Sequence, residues 1–174
     1  MRVFGLAGWS GSGKTTLVTR LVPAFTRRGL SVSTLKHAHH DFDVDQPGKD
    51  SWRHRQSGAT EVMVSSDRRW ALMHELRGAP EPKMEELLRR ISPVDLVLVE
   101  GYKRGDHPKL EVFRASLGKT LLAPEDDSIV AIASDAPVAA SPLPFFALSD
   151  IDAIAEFIIA YCRIEAVGDG AAQR

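Results

Sequence analysis

Gly8-Trp9-Ser10-Gly11-Ser12-Gly13-Lys14-Thr15 satisfies the spacing G-x-x-x-x-G-K-[ST] in full, the Walker A pattern. The chemistry of that spacing is phosphate binding. Glycines let the main chain curl until its N–H groups converge on phosphate oxygens, and a helix N-terminus behind them adds a favourable dipole. Gly8, Ser10, Gly11, Ser12 and Gly13 would form the cradle, with Thr16 beside it. Lys14 would reach the β- and γ-phosphates, and the Thr15 hydroxyl would ligate Mg²⁺. The ligand implied is a nucleoside triphosphate.

Such a loop also needs an acid near the metal, at the carboxyl end of a neighbouring strand. The apolar run Leu96–Val99 is flanked by Asp95 and Glu100. A five-residue strand spans about 16 Å at ~3.3 Å per residue, so the two acids cannot both reach one ion. Glu100, at the carboxyl end, is the choice, either in contact with Mg²⁺, directly or through water, or orienting the attacking water instead. Asp95 reads as a strand-start residue.

Two further loops fall on the same edge. His37-Ala38-His39-His40-Asp41-Phe42-Asp43-Val44-Asp45 gathers three of the six histidines and three acids just after a strand. It fails the EF-hand pattern, because no Gly follows Asp45 and Trp52 stands where Glu is required. The histidine spacing matches no common zinc pattern, and no cysteine lies near. Its position suits a switch segment facing the γ-phosphate, with Asp41 or Asp43 holding a metal-bound water; otherwise it is a solvated polar loop. Gly101–Lys109 carries Lys103, Arg104 and Lys109 past the acid, as cations for phosphate charge or as solvated surface.

The elements that must position these groups alternate. Apolar runs at Arg2–Ala7, Ser31–Lys36, Val94–Val99, Ile129–Ala133 and Phe145–Leu148 read as strands. Lys109–Arg114 alternates charge with Leu110 and Val112 and is expected to be a half-exposed strand. Helices are expected from Lys14 to about Arg28 with Pro23 inside, over Asp50–Ser57, over Lys83–Ile91, and from Asp150 to about Cys162, capped by Ser149 or Asp150. Thr60–Ser65 and Arg69–His74 read as a hairpin. The fold class expected is α/β: a three-layer P-loop NTPase with a largely parallel twisted sheet, helices on both faces and a β-hairpin insertion. Residues 1–163 form one nucleotide-binding domain in this reading, and 164–174 a frayed tail.

Composition narrows the setting. Net charge is −1, which gives no general attraction to nucleic acid or membrane. No apolar run approaches a membrane span, and no signal peptide is legible. The single cysteine, Cys162, makes no internal disulfide and fits a buried apolar position in a reducing, cytoplasmic protein.

Taken together, Gly8–Thr16 (G-W-S-G-S-G-K-T-T), Leu35–Asp43 (L-K-H-A-H-H-D-F-D), Pro47–Ser51 (P-G-K-D-S) and Leu98–Lys103 (L-V-E-G-Y-K) resemble the molybdopterin-guanine dinucleotide biosynthesis protein B family, MobB, from residue 1 to about 163. The histidine–aspartate loop followed by Pro-Gly-Lys-Asp-Ser is the specific part. The resemblance implies a homodimeric GTP-binding protein with weak GTPase activity that assists guanylylation of molybdopterin. Its implied partner is the MobA-type guanylyltransferase, with molybdopterin or a molybdoenzyme as further partners. It also implies that the loop His37–Asp43 and Lys103 complete the site. No Asn-Lys-x-Asp or Thr-Lys-x-Asp occurs to select guanine. Asp135, directly after a strand, is placed either to accept from guanine or simply to begin the turn into Pro137. Arg104 and Arg114 are candidates to supply an arginine across a dimer. Two alternatives stay open: a nucleoside or other small-molecule kinase, and a metal-delivery GTPase using His37, His39 and His40.

Overall fold

The computed structural model describes residues 1–38, 42–102, 105–138 and 141–165. Asp41, Lys103, His39, His40, Arg104 and residues 166–174 lie outside the described residues. The chain divides into two compact units, Met1–His37 with Leu88–Arg174, and Ala38–Leu87.

The first unit is built on a six-stranded parallel sheet. Its strands are β1 (Arg2–Ala7), β2 (Val32–Lys36), β5 (Leu96–Glu100), β6 (Lys109–Phe113), β7 (Ile129–Ser134) and β8 (Phe145–Ala147), in the order β2-β5-β1-β6-β7-β8. The order follows from burial. β1 and β5 are apolar on both faces and take central places, as a covered parallel sheet requires. Register sets the faces: Leu6 pairs with Glu100 on one side and Leu110 on the other.

One face carries two helices, α1 (Lys14–Thr26) and α4 (Ile151–Cys162), which touch each other. Leu17, Leu21, Ala24 and Phe25 recur at helical spacing along α1, and Ile154, Ala155, Ile158 and Cys162 along α4. These residues meet Phe4, Leu6, Leu98, Leu110 and Val112 in one core. The helix α1 runs on through Pro23, and Gly29 ends the turn after it with φ 79°. Asp150 is the cap of α4, its carboxylate accepting from Ala153 N–H at 3.2 Å. Cys162, the last residue of α4, is buried on its core face, and desolvation pushes its thiol up to about 11.

The opposite face overturns one expectation. Lys109–Arg114 is not half-exposed: β6 lies inside the sheet, and Lys109 and Glu111 are 1% and 0% exposed. The alternation of charge and apolar residue is real, but both faces are covered. The segment after β6, with 3₁₀ turns at Ala115–Leu117 and Ala123–Glu125, folds back over the charged face. Glu111 accepts from Leu122 N–H at 2.7 Å and Ala123 N–H at 2.9 Å. Burial pushes its carboxyl above the ordinary range, partly offset by those two donors. Lys109 Nζ donates to Gly105 O, to the Ser128 hydroxyl and, at 3.0 Å, to Asp126. Each buried charge is thus paired or hydrogen-bonded, the condition for burying it at all.

The second unit holds α2 (Asp50–Gln56), the antiparallel hairpin β3 (Glu61–Ser65) with β4 (Trp70–His74), and most of α3 (Met84–Leu88). The helix expected over Lys83–Ile91 is shorter than its apolar pattern. Ile91 N–H turns back onto Leu88 O, and Pro93 follows, which cannot continue a helix. Among the described residues, no helix is long and apolar enough to cross a membrane.

Asp95 starts β5 as expected, and it does so by tying β5 to the start of β2. Its carboxylate accepts from the Ser31 hydroxyl at 2.6 Å and Ser31 N–H at 2.8 Å, which hold it below the ordinary 3.8. A carboxyl depressed by folding stabilises above its unfolded value, and the contribution is lost as pH falls through the lowered one. Asp95→Ala is expected to be less stable than the parent chain at pH 7, with the gap closing below pH 3.8. Urea unfolding across that range checks it, and a gap independent of pH would contradict it. Gly5 is a second point of constraint, since a Cβ there would stand 2.5 Å from His107 Nε2 and 2.9 Å from Lys109 Cγ. Gly5→Ala is expected to cost about 1–3 kcal/mol by overpacking, read from the urea midpoint at unchanged m-value.

Candidate functional site

The loop Gly8–Gly13 leaves the carboxyl end of β1 and ends as the N-cap of α1, where Gly13 has φ 99°. Gly8 and Gly11 are also at positive φ, 142° and 81°. Gly8 is doubly constrained: a Cβ would strike the Val112 carbonyl oxygen and approach Ser12 Oγ at 2.8 Å. Only glycine meets both demands there. Ser12 N–H donates to Trp9 O, closing the turn. Trp9 is held from outside, its indole N–H donating to Thr120 O at 2.8 Å with Lys119 over the ring.

Lys14 folds back on its own loop, Nζ donating to Gly8 O at 3.0 Å and Trp9 O at 2.9 Å. Thr15, on the first turn of α1, donates its hydroxyl to Glu100 Oε1 at 2.8 Å. The sheet order makes this possible, because β5 is the direct parallel neighbour of β1 and ends where the loop begins. Lys36 Nζ, at the end of β2, lies 3.9 Å from the same Glu100 oxygen. A hydroxyl and a carboxylate oxygen side by side at a helix N-terminus are hard donors of the kind Mg²⁺ takes with phosphate. The residues present therefore fit that ion. Among the described residues, no group of three or more His, Cys, Asp or Glu is placed to hold a metal.

The loops flanking Glu100 are joined. His37 N–H donates to Glu100 O at 2.8 Å, and the His37 ring packs on Tyr102 with centroids 5.1 Å apart. Gly101, at φ 100°, lets the two chains approach, since a Cβ there would lie 2.8 Å from His37 O.

Asp43 lies in the second unit, where Arg55 takes both its oxygens at 2.9 and 2.8 Å. Its carboxyl is held low by Asp45 N–H and by Arg55. Arg55 also reaches Asp45 at 3.3 Å and Glu75 at 2.9 Å, and its pKa is raised by these acids. Reading motifs along the chain missed this hub, because it joins residues 43, 45, 55 and 75 across sequence distances that no motif spans. Asp41 and Lys103 lie outside the described residues.

Asp135 stands at the carboxyl end of β7 and is bound by Arg114, Nη1 to Oδ2 at 2.8 Å. Arg114 in turn donates Nε to Ser12 O at 3.0 Å. Arg114, a candidate to act across a dimer, is thus engaged within its own chain. Beside this pair opens a cleft of about 320 Å³, lined among others by Thr16, Ser134, Asp135, Leu148 and Ser149. It adjoins the phosphate loop and the carboxyl ends of two strands, where open α/β sheets take their ligands.

Known proteins resemble the chain over this whole arrangement. The family pattern of MobB, molybdopterin guanine dinucleotide synthesis protein B, matches residues 3–135. The molybdopterin-guanine dinucleotide biosynthesis adapter protein of Escherichia coli (strain K12) is 39% identical over 167 residues, covering 92% of this chain and 93% of that one. The adapter protein of the same name from Haemophilus influenzae is 41% identical over 140 residues, covering 78% and 76%. The crystal structure of a MobB homologue from Bacillus stearothermophilus superposes with TM-score 0.68 at 29% identity, covering 95% of this chain and all of that one. The parallel sheet, its helices and the separate hairpin agree with the α/β fold expected. With its family pattern matched over residues 3–135 and relatives at 39–41% identity, the chain belongs to the MobB family.

Proposed function

We propose that this protein binds GTP with Mg²⁺, hydrolyses it slowly, and serves as an adapter in the guanylylation of molybdopterin. The single observation that carries the nucleotide reading is the hydrogen bond from Thr15 Oγ1 to Glu100 Oε1 at the mouth of a complete phosphate loop. The adapter role is supported by membership of the MobB family and by the names of the relatives. The partner in this reading is a MobA-type guanylyltransferase, with molybdopterin or a molybdoenzyme beyond it. The working form is a homodimer in the cytoplasm.

The loop N–H groups and the N-terminus of α1 hold the phosphates, and Lys14 exchanges its two loop carbonyls for β- and γ-oxygens. When bound, Mg²⁺ neutralises phosphate charge. Thr15 and Glu100 would hold it, with Glu100 orienting the attacking water from the same edge. Turnover is slow in this account, because the Arg114 guanidinium is committed to Ser12 O and Asp135. Lys103 belongs to the loop after Glu100 that would complete the site. Guanine selection falls to Asp135, which faces the cleft next to the loop. A carboxylate accepts from both N1–H and the 2-amino group of guanine, whereas adenine offers no such pair.

Lys14→Ala is expected to abolish Mg²⁺-dependent triphosphate binding in calorimetry while circular dichroism stays unchanged. Glu100→Gln is expected to bind triphosphate but lower turnover at least tenfold, about 1.4 kcal/mol in barrier. Equal turnover in Glu100→Gln and the parent chain would remove Glu100 from the metal side. For the adapter role, added protein is expected to raise dinucleotide yield from a purified guanylyltransferase at limiting GTP, and Lys14→Ala protein is not.

A further inference from the structure

Among the described residues, Arg114 is the side chain that bonds both to the phosphate loop and to Asp135, the proposed base acceptor. It follows β6 directly, and its fork spans from Ser12 O to Asp135 Oδ2. Nη2 lies 3.5 Å from where a Cβ on Gly13 would stand, so the guanidinium plane sits close over the start of α1. The Ser12 carbonyl belongs to the loop whose N–H groups are to hold phosphate. Asp135 belongs to the end of β7. Nothing in the sheet ladder joins these two points, since β6 separates β1 from β7.

A planar guanidinium with donors in fixed directions can hold two acceptors at a set separation, which a lysine ammonium cannot. The bond to Arg114 uses Oδ2 of Asp135, and Oδ1 has no hydrogen bond among the described residues. A carboxylate offers about four lone-pair sites, so Arg114 leaves room for two further donors on the cleft side. The carboxylate is therefore aimed by Arg114 yet still able to accept from a base. Both side chains are partly exposed, at 38% and 37%, and within reach of a ligand in the cleft.

We propose that Arg114 is a positioning residue for base selection: it fixes Asp135 against the phosphate loop, so that base recognition and phosphate binding act together. This rests on the nucleotide-binding reading above. The ligand class it favours is a purine nucleotide presenting two adjacent N–H donors. Loss of the fork would leave Asp135 free to rotate away, weakening guanine recognition while sparing the phosphates. The same loss would decouple the two halves of the site, so a base-free phosphate chain should hardly notice it.

The test compares parent, Arg114→Gln, Asp135→Asn and the double variant by calorimetry with GTP, ATP and inorganic tripolyphosphate, each with Mg²⁺. Arg114→Gln is expected to lose about tenfold in GTP affinity and to hold tripolyphosphate within about twofold. The double variant is expected to bind GTP no more weakly than Asp135→Asn alone, because Arg114 acts through Asp135. Arg114→Lys keeps the charge but not the fork, and is expected to lose GTP selectivity in the same way with the fold intact. Equal losses for GTP and tripolyphosphate in Arg114→Gln, or additive losses in the double variant, would overturn the proposal. A parent chain that binds tripolyphosphate but shows no base preference would overturn it while leaving the nucleotide site standing. A parent chain that binds none of the three would overturn both.

Discussion

The parallel pairing of β1 with β5 is the constraint on which the site depends. Five consecutive register pairs, from Arg2 with Leu96 to Leu6 with Glu100, end both strands at the same edge. The chain leaving β1 there becomes the phosphate loop, and the last residue of β5 is the acid that Thr15 touches. A register slip of one residue would turn Glu100 to the other face and break that contact. Asp95 guards the opposite end of the same strand, where its bonds to Ser31 fix β5 against β2. Two acids on one strand thus do different work: one sets the register, and the other stands at the site.

Behind the site, the sheet is held by two unlike surfaces. On one face α1 and α4 seal an apolar core, which gives the loop a rigid seat. On the other, β6 carries Lys109 and Glu111 into the interior, each answered by main-chain or side-chain partners. Those partners come from the turns between β6 and β7 and from Gly105, in the loop that follows Glu100. Burying charge costs several kcal/mol per ion unless geometry is good, so these contacts stabilise little by themselves. What they do is fix position. Gly105 is tied to Lys109, and the segment carrying Thr120 is tied to Trp9.

Much of this was legible in the residues. The phosphate loop, the alternation of strands and helices, the hairpin and the strand-start role of Asp95 rest on local patterns: glycine spacing, apolar periodicity and an acid beside an apolar run. What escaped was set by distant partners. Lys109 and Glu111 alternate with Leu110 and Val112 as on a half-exposed strand, but both are buried, answered by Gly105 and by the segment at 115–128. The Arg55 hub draws on Asp43, Asp45 and Glu75, whose sequence neighbours give no hint of it. Arg114 was legible as a cation but not as a bridge between Ser12 and Asp135. In each case an ionic partner lay ten or more residues away, beyond the reach of periodicity.

The central claim is that the edge formed by β1, β5 and β7 is a guanine nucleotide site. Calorimetric titration of the parent protein with GTP and with ATP, each with Mg²⁺, tests it most directly. The account predicts GTP binding at least tenfold tighter, a difference of about 1.4 kcal/mol. Equal or tighter binding of ATP would contradict it, and would move the protein toward a kinase or ATPase built on the same loop.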